Sequence, residues 1–525
     1  MHSANVGQPT PPRIVSFLLH AHLPYGLRVD QTTSLEQAWL CEAVTESYLP
    51  LLSMLQRLGG ANARPWLTLS LSPTLLELWR HPEFTGRYEQ HLAEGMRVID
   101  REINNYKHSA ERRQRANDLK RHWLSAADSF AAINGDLVRA FTQLAKRGVI
   151  ELITTTATHA FLPALQNNPR LRHLQLDNGI QSFRQHTGIH PKGFWLPECG
   201  YYPELEIDLA KYGVGYFGLE SIGLTAASPA SNCRRPLQCE NGLLALGRDA
   251  ELSGRVWQAR TGYPGHVNYR EFHCDGIHDI AADACGPFAS IDGTRLPLGL
   301  KYWRVTGTKN KQWYDPQRAQ EQVQDDAQDF VEALSQTEPG IIFLPFDAEL
   351  FGHWWYEGPQ WLEQVLRMTQ QLPATQVACA LDASQADPNT WSGQPAASSW
   401  GHHMDYSFWI NAETDWIYPQ LQSASLALEK LHQQYVQSNR SNPLQYQALE
   451  QAGRELLLAS ASDWPFMIRA NTTADYGRQR LQEHFERLQM LLRSLHNEKY
   501  DAKEIQQLRR SYPAFDKISF KAYAP

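Results

Sequence analysis

What this chain lacks narrows it first. Its 525 residues contain no stretch near the ~18–20 apolar residues of a membrane-spanning helix, and the early apolar run Ile14 to Leu19 is broken by Ser16. Positive charge is not in excess. Lys and Arg number 49 against 56 Asp and Glu, a formal net charge of −7, which excludes the one-signed basic surface that a phosphate backbone requires. Neither nucleic acid nor a membrane is an expected partner. Cysteine is sparse: Cys41, Cys199, Cys233, Cys239, Cys274, Cys285 and Cys379 are scattered, odd in number and without a C-x-x-C pair. That excludes a disulfide framework and points to a reducing, cytoplasmic setting. Cys233 and Cys239 have the wrong spacing for common zinc modules. The first dozen residues hold three prolines and no basic, apolar, small-residue succession, so they read as a loose tail rather than a secretory signal.

Aromatic residues are plentiful, with 16 Trp, 21 Tyr and 19 Phe. Their flat faces and polar edges suit the apolar C–H faces of sugar rings, and large cores use them as well. A chain this long calls for two or three domains. Strand-like runs at Ile14–His20, Trp66–Ser72, Val149–Thr154, Gly193–Pro197, Gly213–Gly218, Gly242–Gly247 and Ile341–Phe346 alternate with helical stretches. That pattern predicts an α/β domain whose parallel strands close, or nearly close, a barrel. The charged, strand-poor segment at about 82–147 predicts a helical insertion. The Gly-, Ser-, Asp- and Pro-rich stretch Asp382 to Ser399 reads as a linker. Leu at helical spacing over Ile417–Ser438, Pro443–Ala461 and Ala474–Asn497 predicts a helical C-terminal domain. The expected division is a barrel over 1–390 and helices over 391–525.

The chemistry gathers at strand ends. The first strand ends His20-Ala21-His22-Leu23-Pro24-Tyr25, and residues two apart on a strand share a side. His20 and His22 therefore face the barrel interior at the end where barrel active sites lie; His159 ends the third strand in the same way. Such histidines suit a zinc ion, hydrogen bonds to sugar hydroxyls, or a structural role. The fourth strand leads into Pro197-Glu198-Cys199-Gly200, and the last into Pro345-Phe346-Asp347-Ala348-Glu349, followed by His353-Trp354-Trp355. A carboxylate at the end of a buried strand is costly unless paired or functional. Two of them facing across a barrel mouth are what a retaining glycosidase needs: one attacks the anomeric carbon, and the other protonates the leaving oxygen and then activates the acceptor. Glu349 rivals Asp347 for the second role. The stretch Ser398-Ser399-Trp400-Gly401, then Asp405, Trp409, Asn411 and Trp416, reads as a sugar platform or a domain-packing seam.

Taken together, HAHLPY, ELITTTATHAFLP, GFWLPECGYYP, VWQARTGYPGHVNYREF, FLPFDAELFGHWWYEG and SSWG followed by Asp and Trp-x-Asn resemble glycoside hydrolase family 57, within it the 1,4-α-glucan branching enzymes. The motifs stand in family order from His20 to Asn411. The resemblance implies an incomplete (β/α)7 barrel with a helical insertion and a helical C-terminal domain, and no metal or other cofactor. It implies Glu198 as nucleophile and Asp347 as acid/base. It places His20, His22 and His159 at the donor subsite, and Trp257, Trp354, Trp400, Asp405 and Trp409 near an α-glucan such as amylose or glycogen. Three positions depart from the family pattern. The loop from Gly223 to Pro236 has no tyrosine, where branching enzymes carry one near the tip. His403-Met404-Asp405-Tyr406 replaces Gly-Gly-Asp-His, and Pro264-Gly265-His266 replaces Pro-Gly-Asp.

The expected activity is cleavage of an α-1,4 bond and transfer of the chain to a 6-hydroxyl, with substantial hydrolysis. The alternative is an α-amylase-like hydrolase. A metal-dependent hydrolase or deacetylase built on His20, His22 and His159, and a catalytically idle glucan binder, are the readings from other classes.

Overall fold

The computed structural model describes residues 12–27, 34–60, 64–105, 108–258, 261–276, 280, 285–288, 296–386, 390–438 and 442–523; the tail expected at the N-terminus lies outside them up to residue 11. The strands are β1 (Arg13–Ala21), β2 (Thr68–Leu71), β3 (Glu151–Ile153), β4 (Gly193–Phe194), β5 (Tyr216–Leu219), β6 (Leu237–Gln238), β7 (Leu244–Gly247), β8 (Gly340–Asp347), β9 (Thr375–Val377) and β10 (Trp391–Ser392). Each of the seven runs expected to be strands contributes one of β1, β2, β3, β4, β5, β7 and β8.

Those seven form a barrel of parallel strands. One sheet runs β3-β2-β1-β8 and another contains β7-β5-β4. Single bridges join them: Thr154 to Phe194 links β3 to β4, and Arg248 to Phe343 links β7 to β8. The two seams therefore carry a bridge where a complete barrel would carry a ladder, which makes this an incomplete (β/α)7 barrel. β1 is covered on both faces, which is why it reads as a nearly unbroken apolar run; Val15, Phe17, Leu18 and Leu19 are all buried. Its register places His20 beside Ser70 of β2 and Asp347 of β8, so one rung at the C-terminal rim holds three polar residues.

The segment expected to be a helical insertion forms helices at Phe84–Asn105, Ala110–Ala132 and Leu137–Lys146. The first two lie close together: Gly95 faces the Trp123 ring so tightly that a Cβ there would stand 1.9 Å from it. The C-terminal helices span Ile417–Gln437, Pro443–Ala459, Asp463–Ala470, Ala474–His496 and Ala502–Ser511. Leucines close their interior around a buried hydrogen bond, between Glu455 and His484 at 2.7 Å. No helix among the described residues is long and apolar enough to cross a membrane.

The stretch Asp382 to Ser399 is not a linker. It opens in the helix Ala380–Gln385, whose Ala380 and Ala383 are buried, and it continues as β10 beside β6. Ser398 then bridges to Tyr201, and Ser398 and Ser399 are fully buried. Its small residues serve close packing across the barrel mouth. Composition that reads as flexible is here the composition that lets backbone approach backbone.

Helix Pro169–Thr187 is the clamp behind β3. Gln175 holds the segment after β3 through its carbonyl to Ala157 N–H (3.0 Å) and its side chain to Thr158 N–H (3.0 Å). Gly179 makes that approach possible, because a Cβ there would lie 2.7 Å from both Thr155 O and Ala157 N. Backbone cannot yield as a side-chain tip can, so Gly179→Ala is expected to cost about 1–3 kcal/mol, as overpacking does. It should lower the thermal midpoint and, by displacing His159, lower turnover. An unchanged midpoint in differential scanning calorimetry contradicts this account.

Candidate active site

Glu198 and Asp347 both sit at the C-terminal rim of the barrel, and the surroundings of the two carboxyls differ. Glu198 accepts two hydrogen bonds, from Trp400 Nε1–H at 2.8 Å and from the Ser462 hydroxyl at 3.0 Å. Its backbone is left-handed (φ 61°, ψ 24°), as is that of Cys199 (φ 52°) and of His159 (φ 57°). Non-glycine residues take this conformation at a cost of order 1–3 kcal/mol each, and such outliers gather where geometry is functional. The Trp400 N–H bonds the Glu198 carbonyl at 3.0 Å, so the residue is held from main chain and side chain alike.

Asp347 has no side-chain hydrogen-bond partner among the described residues. Burial pushes its carboxyl well above the usual carboxylate range, and the nearby charges of Glu349 and then Glu198 push it the same way. Burial also raises Glu198, against which the Trp400 and Ser462 donors work. The two acids are thereby driven apart: one is hydrogen-bonded as an anion, and the other is left to keep its proton. Glu349 is buried and turned away, accepting from the Tyr48 hydroxyl and from His22 N–H at 3.2 Å. Tyr48 comes from a π-helical turn, Val44–Tyr48, inside an otherwise α-helical stretch. The same turn aims Ser47 at His353 N–H, 3.0 Å away, as π-turns at functional sites often re-aim side chains.

The three histidines stack. Ring centroids are 4.2 Å apart for His22 and His159, and 4.8 Å for His20 and His159. Both ring nitrogens of each are engaged. His20 meets Ser70 at 3.0 Å and His159 at 2.9 Å. His22 meets Ser72 at 2.9 Å and Asp463 at 3.1 Å. His159 meets Ser462 at 2.8 Å. Their nitrogens thus do not converge on a common point. The only group of potential metal ligands among the described residues is Glu42, Glu46 and His353, where Lys301 lies 3.0 Å from Glu42 and 3.4 Å from Glu46.

The tautomers follow from this chain of contacts. Ser462 donates to Glu198, so its oxygen accepts from His159 Nδ1–H. His159 Nε2 must then accept from His20 Nε2–H, and His20 Nδ1 accepts from Ser70. Each step needs neutral rings, and burial, followed by mutual repulsion among the three, holds His20 and His159 far below the usual imidazole range.

Trp257 and Trp354 are 40% and 39% exposed. Their centroids are 6.3 Å apart, and the Trp257 ring lies nearly parallel to Trp400 at 6.1 Å, so three of the expected aromatic residues form one wall beside Glu198. Trp409 and Asp405 stand elsewhere. Trp409 is fully buried and stacks on Phe161 at 4.5 Å, while Asp405 faces solvent and binds Ser407 N–H at 2.8 Å. Their stretch is a packing seam at Trp409, and Trp400 alone of the three reaches Glu198. His403 is exposed and His266 packs 6.0 Å from Tyr269.

Sequence reasoning missed Ser70, Ser72, Tyr48, Ser462 and Asp463. Ser70 is in register with His20 on β2, and Ser72, two residues on and just past the strand, meets His22 through its side chain, a period-two signal that was there to read. Ser462 and Asp463 come from the C-terminal helices, and nothing local marks them as partners of residues more than 260 positions away.

The loop from Gly223 to Pro236 runs away from the mouth. Ser228 bridges to Gln394, Trp391 Nε1–H donates to Pro229 O (3.2 Å), and Arg234 O accepts from Ile341 N–H (2.8 Å) at the start of β8. The Arg234 side chain pairs with Asp249 at 2.9 Å, and the Arg235 guanidinium lies 6.0 Å from the Trp391 ring.

Comparison with known proteins bears on this geometry. The glycosyl hydrolase family 57 model matches residues 16–385, and the model of the 1,4-alpha-glucan branching enzyme C-terminal region matches 420–523. A 1,4-alpha-glucan branching enzyme of Thermococcus kodakarensis is 29% identical over 94% of this chain and 76% of its own length. A probable 1,4-alpha-glucan branching enzyme of Mycobacterium tuberculosis is 31% identical over 90% of each chain. Among solved structures, an alpha-amylase from Thermotoga maritima superposes with a TM-score of 0.89 at 31% identity, covering 98% of this chain and 99% of that one. A branching enzyme from Pyrococcus horikoshii does so with a TM-score of 0.85 at 28% identity, covering 98% and 97%. With its family motifs on one barrel rim and the match running through most of its length, this chain belongs to glycoside hydrolase family 57.

Proposed function

We propose that this chain is a retaining α-glucan enzyme that cleaves α-1,4 bonds and passes the freed chain to a 6-hydroxyl, as a 1,4-α-glucan branching enzyme does. Glu198 attacks the anomeric carbon while Asp347 gives its proton to the departing glycosidic oxygen. The glycosyl–Glu198 ester then meets an acceptor hydroxyl, whose proton passes to the Asp347 carboxylate as the new C–O bond forms and Glu198 departs. The observation that carries this reading is the asymmetry of the two carboxyls, with two donors on Glu198 and burial with like charge around Asp347.

His20, His22 and His159 line the donor side of the mouth, with their ring nitrogens held by Ser70, Ser72, Ser462, Asp463 and one another. Trp257, Trp354 and Trp400 form the aromatic wall for the glucan. Trp409 and Asp405 act by shaping the seam that carries Trp400. The working division is a catalytic barrel over 1–390 and a helical domain over 391–525, which lends Trp400, Ser462 and Asp463 to the mouth. No metal or other cofactor enters this scheme. Seven free cysteines agree with a cytoplasmic setting.

One observation favours a second reading, an α-amylase-like hydrolase. The tyrosine-free loop 223–236 is tied along the barrel side and leaves the acceptor less enclosed. Water and a glucan hydroxyl compete for the glycosyl-enzyme, and about 1.4 kcal/mol in barrier shifts their ratio tenfold.

Linkage analysis of products from amylose, with reducing ends counted alongside, separates the two: new α-1,6 linkages accompanied by reducing ends are expected, and degradation without any branch point leaves the hydrolase reading alone. Glu198→Gln should abolish turnover, and Asp347→Asn should lower kcat by about 10²–10⁴, the span of general acid–base catalysis. Full activity in either variant overturns the pair.

The role of Glu349 shows in pH dependence. Its charge raises Asp347, so Glu349→Gln removes a like charge and lowers the Asp347 pKa. The proton is then lost at lower pH, and the basic limb of kcat/KM moves to lower pH while the acidic limb stays with Glu198. A basic limb that stays in place or moves up rules this out.

A further inference from the structure

Behind the barrel, helix Pro169–Thr187 presents His173, Asp177, Gln181, Arg184 and Gln185 along one face, at the spacing that stacks residues on a helix side. With Tyr212, the segment 518–522 and Tyr446, this face borders an open groove of about 1260 Å³. Small-molecule pockets span roughly 300–1,000 Å³, so this space suits an oligomer. It is also remote from the mouth. His190 and Tyr212 stand just before β4 and β5, so the groove opens near the N-terminal ends of the strands, whereas Glu198 and Asp347 follow the C-terminal ends.

Its chemistry is balanced. Arg170 is paired with Glu429 at 2.9 Å, Lys211 with Asp208 at 2.7 Å, and the Asp177 carboxylate accepts from the Ser519 hydroxyl. An anion site needs uncompensated positive charge; two of the four Lys and Arg side chains on this lining, Arg170 and Lys211, already have carboxylate partners, and Asp177 adds a negative charge, so the lining is mixed rather than uniformly basic. What remains suits a neutral polyol. Gln181, Arg184 and Gln185 are exposed, without side-chain partners among the described residues, and amides both donate and accept. Tyr446 is 38% exposed, and its ring lies 5.7 Å from that of Tyr435; buried Ile180 and Phe520 supply an apolar floor. Aromatic faces with mixed donors and acceptors match a sugar chain.

We infer that this groove is a second, non-catalytic binding site for linear α-glucan. The inference rests on the reading of α-glucan as the substrate. A long chain held here raises the local concentration of further segments at the mouth by tethering, whereas a short oligosaccharide occupying one site gains nothing.

The test uses the full chain. In the Glu198→Gln background, native electrophoresis through amylose-containing gels should show retardation that Tyr446→Ala combined with Arg184→Ala reduces several-fold, and that Tyr446→Phe leaves intact. In the active background, the double variant should raise KM for amylose several-fold while kcat, and the KM for maltotetraose, stay at parental values. Unchanged retardation and KM overturn the second site, as does an equal rise in KM for both substrates. Protection of Tyr446 from chemical modification by inorganic phosphate but not by maltoheptaose assigns an anion site instead and also overturns it. If amylose is cleaved normally while these variants behave as the parent, only this inference fails. If the unsubstituted chain neither cleaves nor is retarded by any α-glucan, the functional reading itself fails.

Discussion

Two carboxyl groups share one barrel mouth, and the rest of the site keeps them in different surroundings. Burial alone raises both Glu198 and Asp347. Two donors on Glu198 oppose that rise, while Glu349 and Glu198 add to it at Asp347. Glu349 is in turn fixed by Tyr48 and His22 N–H. In a medium of lower dielectric than water these small differences in hydrogen bonding and charge are amplified, so a few well-placed groups suffice to set one acid and one anion side by side.

The same requirement explains why the barrel does not act alone. Neither barrel strands nor their loops supply the Ser462 hydroxyl that binds both Glu198 and His159, or the Asp463 carboxylate that meets His22. Thr158 donates to Leu457 O as well, so the last turn of one C-terminal helix and the start of the next are pinned to the end of β3. The helical region is thus a wall of the candidate site, and the chain of contacts from Ser70 through His20 and His159 to Glu198 crosses from the barrel to that wall. Loosening either side would leave buried polar groups without partners, which costs more than the bonds themselves return.

The loop 223–236 shows how one scaffold can lean toward water or toward a sugar acceptor without altering its acids. Its contacts go to Gln394, Trp391, Asp249 and the start of β8. Beside Glu198 stand instead the rings of Trp257, Trp354 and Trp400, which contact one another in series. On the proposed function, the partition between branching and hydrolysis turns on small differences in barrier at this mouth.

Much of this is legible in the sequence. Seven strand-like runs at α/β spacing point to the barrel, because apolar strands buried on both faces leave an unmistakable pattern. His20 and His22 face one side because strands alternate, and Glu198 and Asp347 stand out because an acid after a buried strand is costly. The segment Asp382 to Ser399 misleads, since small residues serve tight packing as readily as flexibility. Trp409 misleads because an aromatic ring carries no mark of whether it meets a sugar or a core. What only the tertiary structure decides is which distant groups complete the site: the left-handed backbone at Glu198, the π-turn that aims Tyr48, and the arrival of Ser462 and Asp463 beside the histidines. The sequence determines periodicity and local cost, which act between near neighbours. Contacts across hundreds of residues depend on how whole elements pack, and that information resides in no single stretch of the chain.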